Sequence, residues 1–129
     1  MAAVSWQEDV KLFVTLFVLG GLAVIISGIW SRWIYTASWL CGWAIQSADD
    51  AVLEPSCGDG AFLEAAARRL RALGATPAKI ARLLTGVEII PAEARSATER
   101  LQPVLGKSAE KIIQNSDFFA WWQASEIRK

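Results

Sequence analysis

V-L-E-P-S-C-G-D-G-A-F-L, residues 52–63, decides how this chain is read. Val52 and Leu53 are apolar, an acid and a proline follow, then two glycines spaced by one residue, then an alanine-rich run. That order is a buried strand breaking sharply into a helix. Gly58 and Gly60 give the turn access to positive φ and remove Cβ atoms where a bound molecule would approach the backbone. The unsatisfied N–H groups of the next helix open into the same space.

Outward from this turn the spacing predicts an alternation. A strand over 51–54 leads into a helix over 60–73 whose apolar stripe is Leu63, Ala67 and Leu70, with Glu64 and Arg68 paired across one turn and the arginines Arg68, Arg69 and Arg71 forming a solvated face. Gly74 ends it, and Thr76-Pro77 opens a second helix to position 84 by cap and first-turn proline. G-V-E-I-I over 86–90 is the second strand. Pro91 starts a helix that turns Ala94, Ala97, Leu101 and Val104 inward and that Pro103 and Gly106 close. Positions 111–114 are the third strand, followed by N-S-D-F-F over 115–119 and an aromatic tail with Trp121 and Trp122. Strand, helix, strand, helix, strand at these intervals predicts a three-layer α/β half-domain with three parallel strands, ordered 3-2-1, and right-handed crossovers. Upstream, 36–46 suits a short helix with Thr36 as its N-cap.

From position 12 to 30 there is no charged residue. Nineteen residues reach about 28 Å as a helix, close to the thickness of a bilayer's hydrocarbon layer, and Trp30, Trp33 and Tyr35 crowd its far end. Residues 1–34 are therefore an apolar leader and a candidate transmembrane helix, with Glu8 and Asp9 before it and Arg32 after it placing the remainder on the inner face of the membrane. A buried helix of a soluble protein and a non-native leader remain alternatives; a signal peptide fits worse, since its core would be shorter and its start basic. Residues 35–129 form the second region.

Thirteen Lys and Arg balance thirteen Asp and Glu, and residues 35–129 keep eleven of each, so the totals show no basic surface for nucleic acid. The chain has no histidine, which excludes histidine triads and histidine-ligated metals. Cys41 and Cys57 lack the C-x-x-C spacing of a zinc or redox pair, so no metal site is expected. Cys57 is either a small filler in a tight turn or a nucleophile.

Ligands of parallel sheets lie beyond the carboxyl ends of the strands, where this sequence carries Glu54 with Ser56, Cys57, Gly58 and Gly60, then Glu88, then Asp117 with Phe118. A dinucleotide fits badly: the third glycine of G-x-G-x-x-G would fall on Leu63, and Glu54 would repel a pyrophosphate. Glu54 suits a cationic amine such as the methionine end of S-adenosylmethionine. Glu88 can accept from both ribose hydroxyls, Asp117 from the adenine amino group, and Phe118 can stack on the base. Each acid has a plainer alternative: Glu88 can be a solvated strand end, and Asp117 a helix N-cap.

The 52–63 segment resembles the first motif of class I methyltransferases, and its E-P-x-C-G-x-G-x-F form is similar to that of adenine-specific DNA methyltransferases of restriction-modification systems. G-V-E-I-I-P at 86–91 and N-S-D-F-F at 115–119 match the next two cofactor motifs in order and spacing. Y-T-A-S-W-L from Tyr35 is similar to the family's Y-T-P segment, with Ala37 replacing the proline; the resemblance assigns Thr36 to the cofactor's methionine end. It implies a partial Rossmann-like fold binding S-adenosylmethionine, with Thr36, Glu54, Ser56, Cys57, Gly58, Gly60, Glu88, Asp117 and Phe118 as contacts. The family's catalytic Asn/Asp-Pro-Pro-aromatic motif does not occur in the 129 residues. The expectation is therefore the cofactor-binding half of such an enzyme, inactive alone, meeting DNA through a missing half or a partner chain. The same half would serve a methyltransferase acting on protein or a small molecule, and a membrane-anchored, non-catalytic interaction module is the third reading. Without a fourth strand beside the first, Val52 and Leu53 form an exposed edge, and the isolated chain is expected to be marginal or self-associating unless the leader helix or another subunit covers it.

Overall fold

The computed structural model describes residues 35–126, and the 12–30 stretch and its candidate helix lie outside them. Three short parallel strands, β1 (Val52–Glu54), β2 (Leu84–Glu88) and β3 (Ile113–Asn115), form one sheet in the order β1-β2-β3. The register pairs Val52 with Leu84, Glu54 with Gly86, Gly86 with Ile113 and Glu88 with Asn115. This is the α/β class and the strand order that the alternation predicts.

Among the described residues five helices accompany the sheet. They are α1 (residues 35–44), α2 (Ala61–Ala72), α3 (Pro77–Leu83), α4 (Pro91–Leu105) and α5 (Phe118–Glu126), with a 3-10 turn over Gly106–Lys111. Both crossovers run the same way across the sheet, and right-handed connections in one direction deliver their helices to one face. The core records that consequence. Leu63, Leu70, Ile80, Leu101 and Ile112 are buried in one cluster with Leu84, and Val52 and Ile113 pack against it. Leu53, Thr85, Val87 and Gln114 occupy the opposite pleat by strand alternation. Val87, on that opposite pleat, is also fully buried, so the sheet is covered on this side as well at β2.

Several boundaries differ from the sequence reading for local reasons. Thr36 is not an N-cap, since the helix is already formed at Tyr35; α1 buries Ala37 and Cys41, with Ile45 just past its end. Asp50 stops the chain there by accepting from the Gln46 and Ser47 N–H groups at 2.8 and 2.9 Å, which lowers its pKa. Strand β2 begins and ends two residues before 86–90, because Leu84 follows α3 straight into register with Val52, and Ile89 and Ile90 turn outward. Pro103 does not end α4 but sits within it. It removes a single N–H near the last turn, while burial of Leu101, Val104 and Leu105 holds the helix to Gly106. The third strand starts at Ile113 rather than 111, after a 3-10 turn that buries Ala109 and that apolar spacing does not announce. Thr76 does cap α3, its hydroxyl accepting from the Lys79 N–H at 3.3 Å.

The arginines of α2 are more than a solvated face. Arg68 pairs with Glu64 at 2.8 Å as expected. Arg69, however, donates to the Ile45 carbonyl at 3.0 Å and Arg71 to the Val104 carbonyl at 3.0 Å, tying the end of α1 and the end of α4 to α2.

Candidate functional site

The turn after β1 is built by backbone bonds and two glycines with different duties. The Cys57 N–H donates to the Val87 carbonyl at 3.0 Å, bringing the turn back beside β2, and the Gly60 N–H donates to the Cys57 carbonyl at 2.9 Å. Gly60, at φ 82, starts α2, and a Cβ there would lie 2.9 Å from the Ala97 Cβ. It is a packing glycine that lets α4 approach. Gly58, at φ 52, has nothing within 4 Å of the place a Cβ would take. Of the two, Gly58 is the one that fronts open space.

A third glycine has a structural role. A Cβ on Gly86 would meet the Leu63 side chain, with Cys57 Sγ and Ile113 Cδ1 at 3.0 Å. The strand β2 is therefore bare at this point so that the turn and α2 can close over it.

Glu88, at the end of β2, is 6% exposed, so it is not a solvated strand end. One carboxylate oxygen accepts from the Gly58 N–H at 2.9 Å and the other from the Ile90 N–H at 2.8 Å. The side chain thus clamps the glycine turn to the turn that follows β2. Each oxygen retains one lone pair after these bonds.

Glu54, at the end of β1, is in a different state. Its Oε2 is buried and has no hydrogen-bond partner among the described residues. Burial, with help from the charge of Asp59, pushes its pKa from 4.5 up to about 7. Cys57 is buried between these acids. Desolvation first, then the charges of Glu54 and Glu88, push its thiol up to about 11, so it is the small filler and not a thiolate nucleophile. Burial and the Glu54 charge also raise the thiol of Cys41, on α1.

Arg100, which the sequence reading does not place at the site, meets Asp59 within the turn. Arg100, on α4, donates through Nε to the Asp59 carbonyl at 2.9 Å, forms an ion pair with the Asp59 carboxylate, and reaches Glu64 at 3.4 Å. The guanidinium fixes the turn from outside, and a charged residue on the polar side of an amphipathic helix carries no sequence signal of such a role. Asn115 was missed in the same way. Its amide donates to the Glu88 carbonyl at 2.8 Å and the Ile89 carbonyl at 3.2 Å, and the Ser116 N–H also reaches the Glu88 carbonyl, joining the ends of β2 and β3.

The structure therefore gathers Glu54, Cys57, Gly58 and Glu88 around one turn. Asp117 and Phe118 stand past the end of the neighbouring strand β3. Asp117 is an exposed N-cap, accepting from the Ala120 N–H at 2.9 Å at the start of α5. The Phe118 ring packs 5.6 Å from Phe119 and 6.0 Å from Trp121. Ser56 is exposed on the turn, and Thr36 is exposed on α1. Among the described residues no group of three or more potential ligands could hold a metal ion. Two grooves lie away from the turn, one of about 380 Å³ beside Arg68, Arg71 and Pro103, the other of about 320 Å³ between α4 and β3. No protein-family model, curated protein or solved structure matches this chain.

Proposed function

We propose that the turn between β1 and α2 binds S-adenosylmethionine and that the chain is the cofactor-binding part of an adenine-specific DNA methyltransferase, which transfers a methyl group to the exocyclic amino group of adenine. The carrying observation is the Glu54 carboxyl, with one oxygen buried and unpartnered and its pKa raised to about 7. Such a group gains most from a cationic donor, and the ammonium of the cofactor's amino-acid end is one. The same acids disfavour a ligand led by phosphate.

The other residues fit to different degrees. Gly58 leaves the backbone open to close approach. Glu88 can receive ribose hydroxyls on its remaining lone pairs while it holds the turn. Asp117 caps α5 with one oxygen, and its other oxygen, with the Phe118 ring, is available to an adenine. Methyl transfer is not proposed for these residues alone, which lack the catalytic tetrapeptide. DNA and the methyl-accepting site belong in this proposal to further polypeptide docking at β1. That strand is a sheet edge with Leu53 42% exposed, and the same edge would otherwise pair copies of the chain.

Calorimetric titration with S-adenosylhomocysteine tests the reading. Saturable binding weakened by both Glu88→Ala and Asp117→Ala is the expected result, with circular dichroism to check that the variants fold. No binding, or binding indifferent to both changes, removes it.

A further inference from the structure

Helix α1 carries two faces of opposite character. Ala37 and Cys41, with Ile45 just beyond the end, point into the core. Tyr35, Trp39 and Trp43, at i, i+4 and i+8, form the opposite stripe and are 76%, 70% and 74% exposed, with Leu40 partly exposed beside them. Residues 33–48 contain no charged side chain. A helix face turned to water ordinarily carries charge; one made of tyrosine and tryptophan matches the chemistry of the bilayer interface, where each ring places its body among acyl chains and its polar edge among headgroups.

We propose that the Tyr35-Trp39-Trp43 face of α1 lies on a lipid bilayer, with its rings at headgroup depth. The sequence outside the described residues supports this occupant over a protein partner. The uncharged stretch 12–30, long enough for a hydrocarbon layer, ends five residues before Tyr35, and Trp30 and Trp33 bring the same ring chemistry up to the helix. The lipid contact is independent of any cofactor. It would hold the turn between β1 and α2 at a fixed distance from the membrane, since Cys41 on the inner face of α1 donates to the Phe62 carbonyl at the start of α2.

The test uses the full chain with Trp6, Trp30, Trp33, Trp121 and Trp122 replaced by Phe, leaving Trp39 and Trp43 as reporters, with folding checked by circular dichroism. It is reconstituted with phosphatidylcholine vesicles whose acyl chains are brominated near the glycerol end. The expected result is a blue shift of the emission, strong quenching by the brominated lipid, and several-fold weaker quenching by aqueous iodide than in the absence of vesicles. A chain that does not bind vesicles overturns the proposal. So do rings that stay open to iodide and indifferent to bromine on bound protein. Rings shielded from both quenchers overturn it too, by assigning the face to a protein.

Discussion

Replacing Glu54 by Gln should make the ligand-free protein more stable at pH 8 while weakening the binding of S-adenosylmethionine proposed for the turn. A carboxyl whose pKa is higher folded than unfolded binds its proton more tightly in the folded state. Its penalty is absent below the unfolded value of 4.5, grows as pH rises, and is fully present above about 7. At ~1.36 kcal/mol per tenfold in proton affinity the rise amounts to ~3 kcal/mol, and partial solvent contact reduces this to ~1–2 kcal/mol. Gln reproduces the protonated form in shape and hydrogen bonding. Urea unfolding at pH 5 and pH 8 should therefore show wild type losing ~1–2 kcal/mol across the interval and Glu54→Gln losing almost none. The chain has no histidine to titrate within this window. Equal pH slopes for the two proteins, or a variant less stable at pH 8, would refute the picture of a buried carboxyl awaiting a cation.

The two glycines of the turn should respond differently to alanine. Gly60→Ala meets both a left-handed φ and the Ala97 Cβ and should cost about 2–4 kcal/mol in unfolding experiments, whereas Gly58→Ala meets only the φ term of about 1–2 kcal/mol yet should abolish S-adenosylhomocysteine binding. At Asp117, Ala should cost about 1 kcal/mol through loss of the cap; Ser should restore the stability but not the cofactor affinity, and calorimetry beside urea unfolding separates the two. With its thiol pushed to about 11, Cys57 should hold only about one thiolate in a thousand at pH 8, so peptide mapping after iodoacetamide treatment should find it unmodified until urea unfolds the chain.

How far the sequence reached depended on how local the cause was. The helix stripes, the Thr76-Pro77 start and the order of three parallel strands follow from periodicity and caps, and they are in the structure. The ends of β2 and β3 were displaced, because register with Val52 and the buried 3-10 turn at Ala109 are set by tertiary packing that the apolar run G-V-E-I-I conceals. Two right-handed crossovers running in one direction bring α2, α3 and α4 to one face, while Val87 on the other pleat is buried by neighbours that the periodicity of its own strand does not name. At the site, the acids behind the strands could be read as a set. Their states could not: Glu88 is engaged by two backbone N–H groups, and the buried Oε2 of Glu54 by none among the described residues, a difference created by the path of the turn. Arg100 and Asn115 act across 41 and 26 or 27 residues of sequence separation, beyond the reach of any motif.

Whether the acid-rimmed turn receives a sulfonium nucleoside is read residue by residue by amide chemical-shift mapping of the 15N-labelled chain as S-adenosylmethionine is added. Saturable shifts concentrated at Glu54, Gly58, Glu88 and Phe118, with ATP producing none of them, are the expected result. No shifts at saturating ligand, or shifts confined to the grooves beside α4, would contradict it.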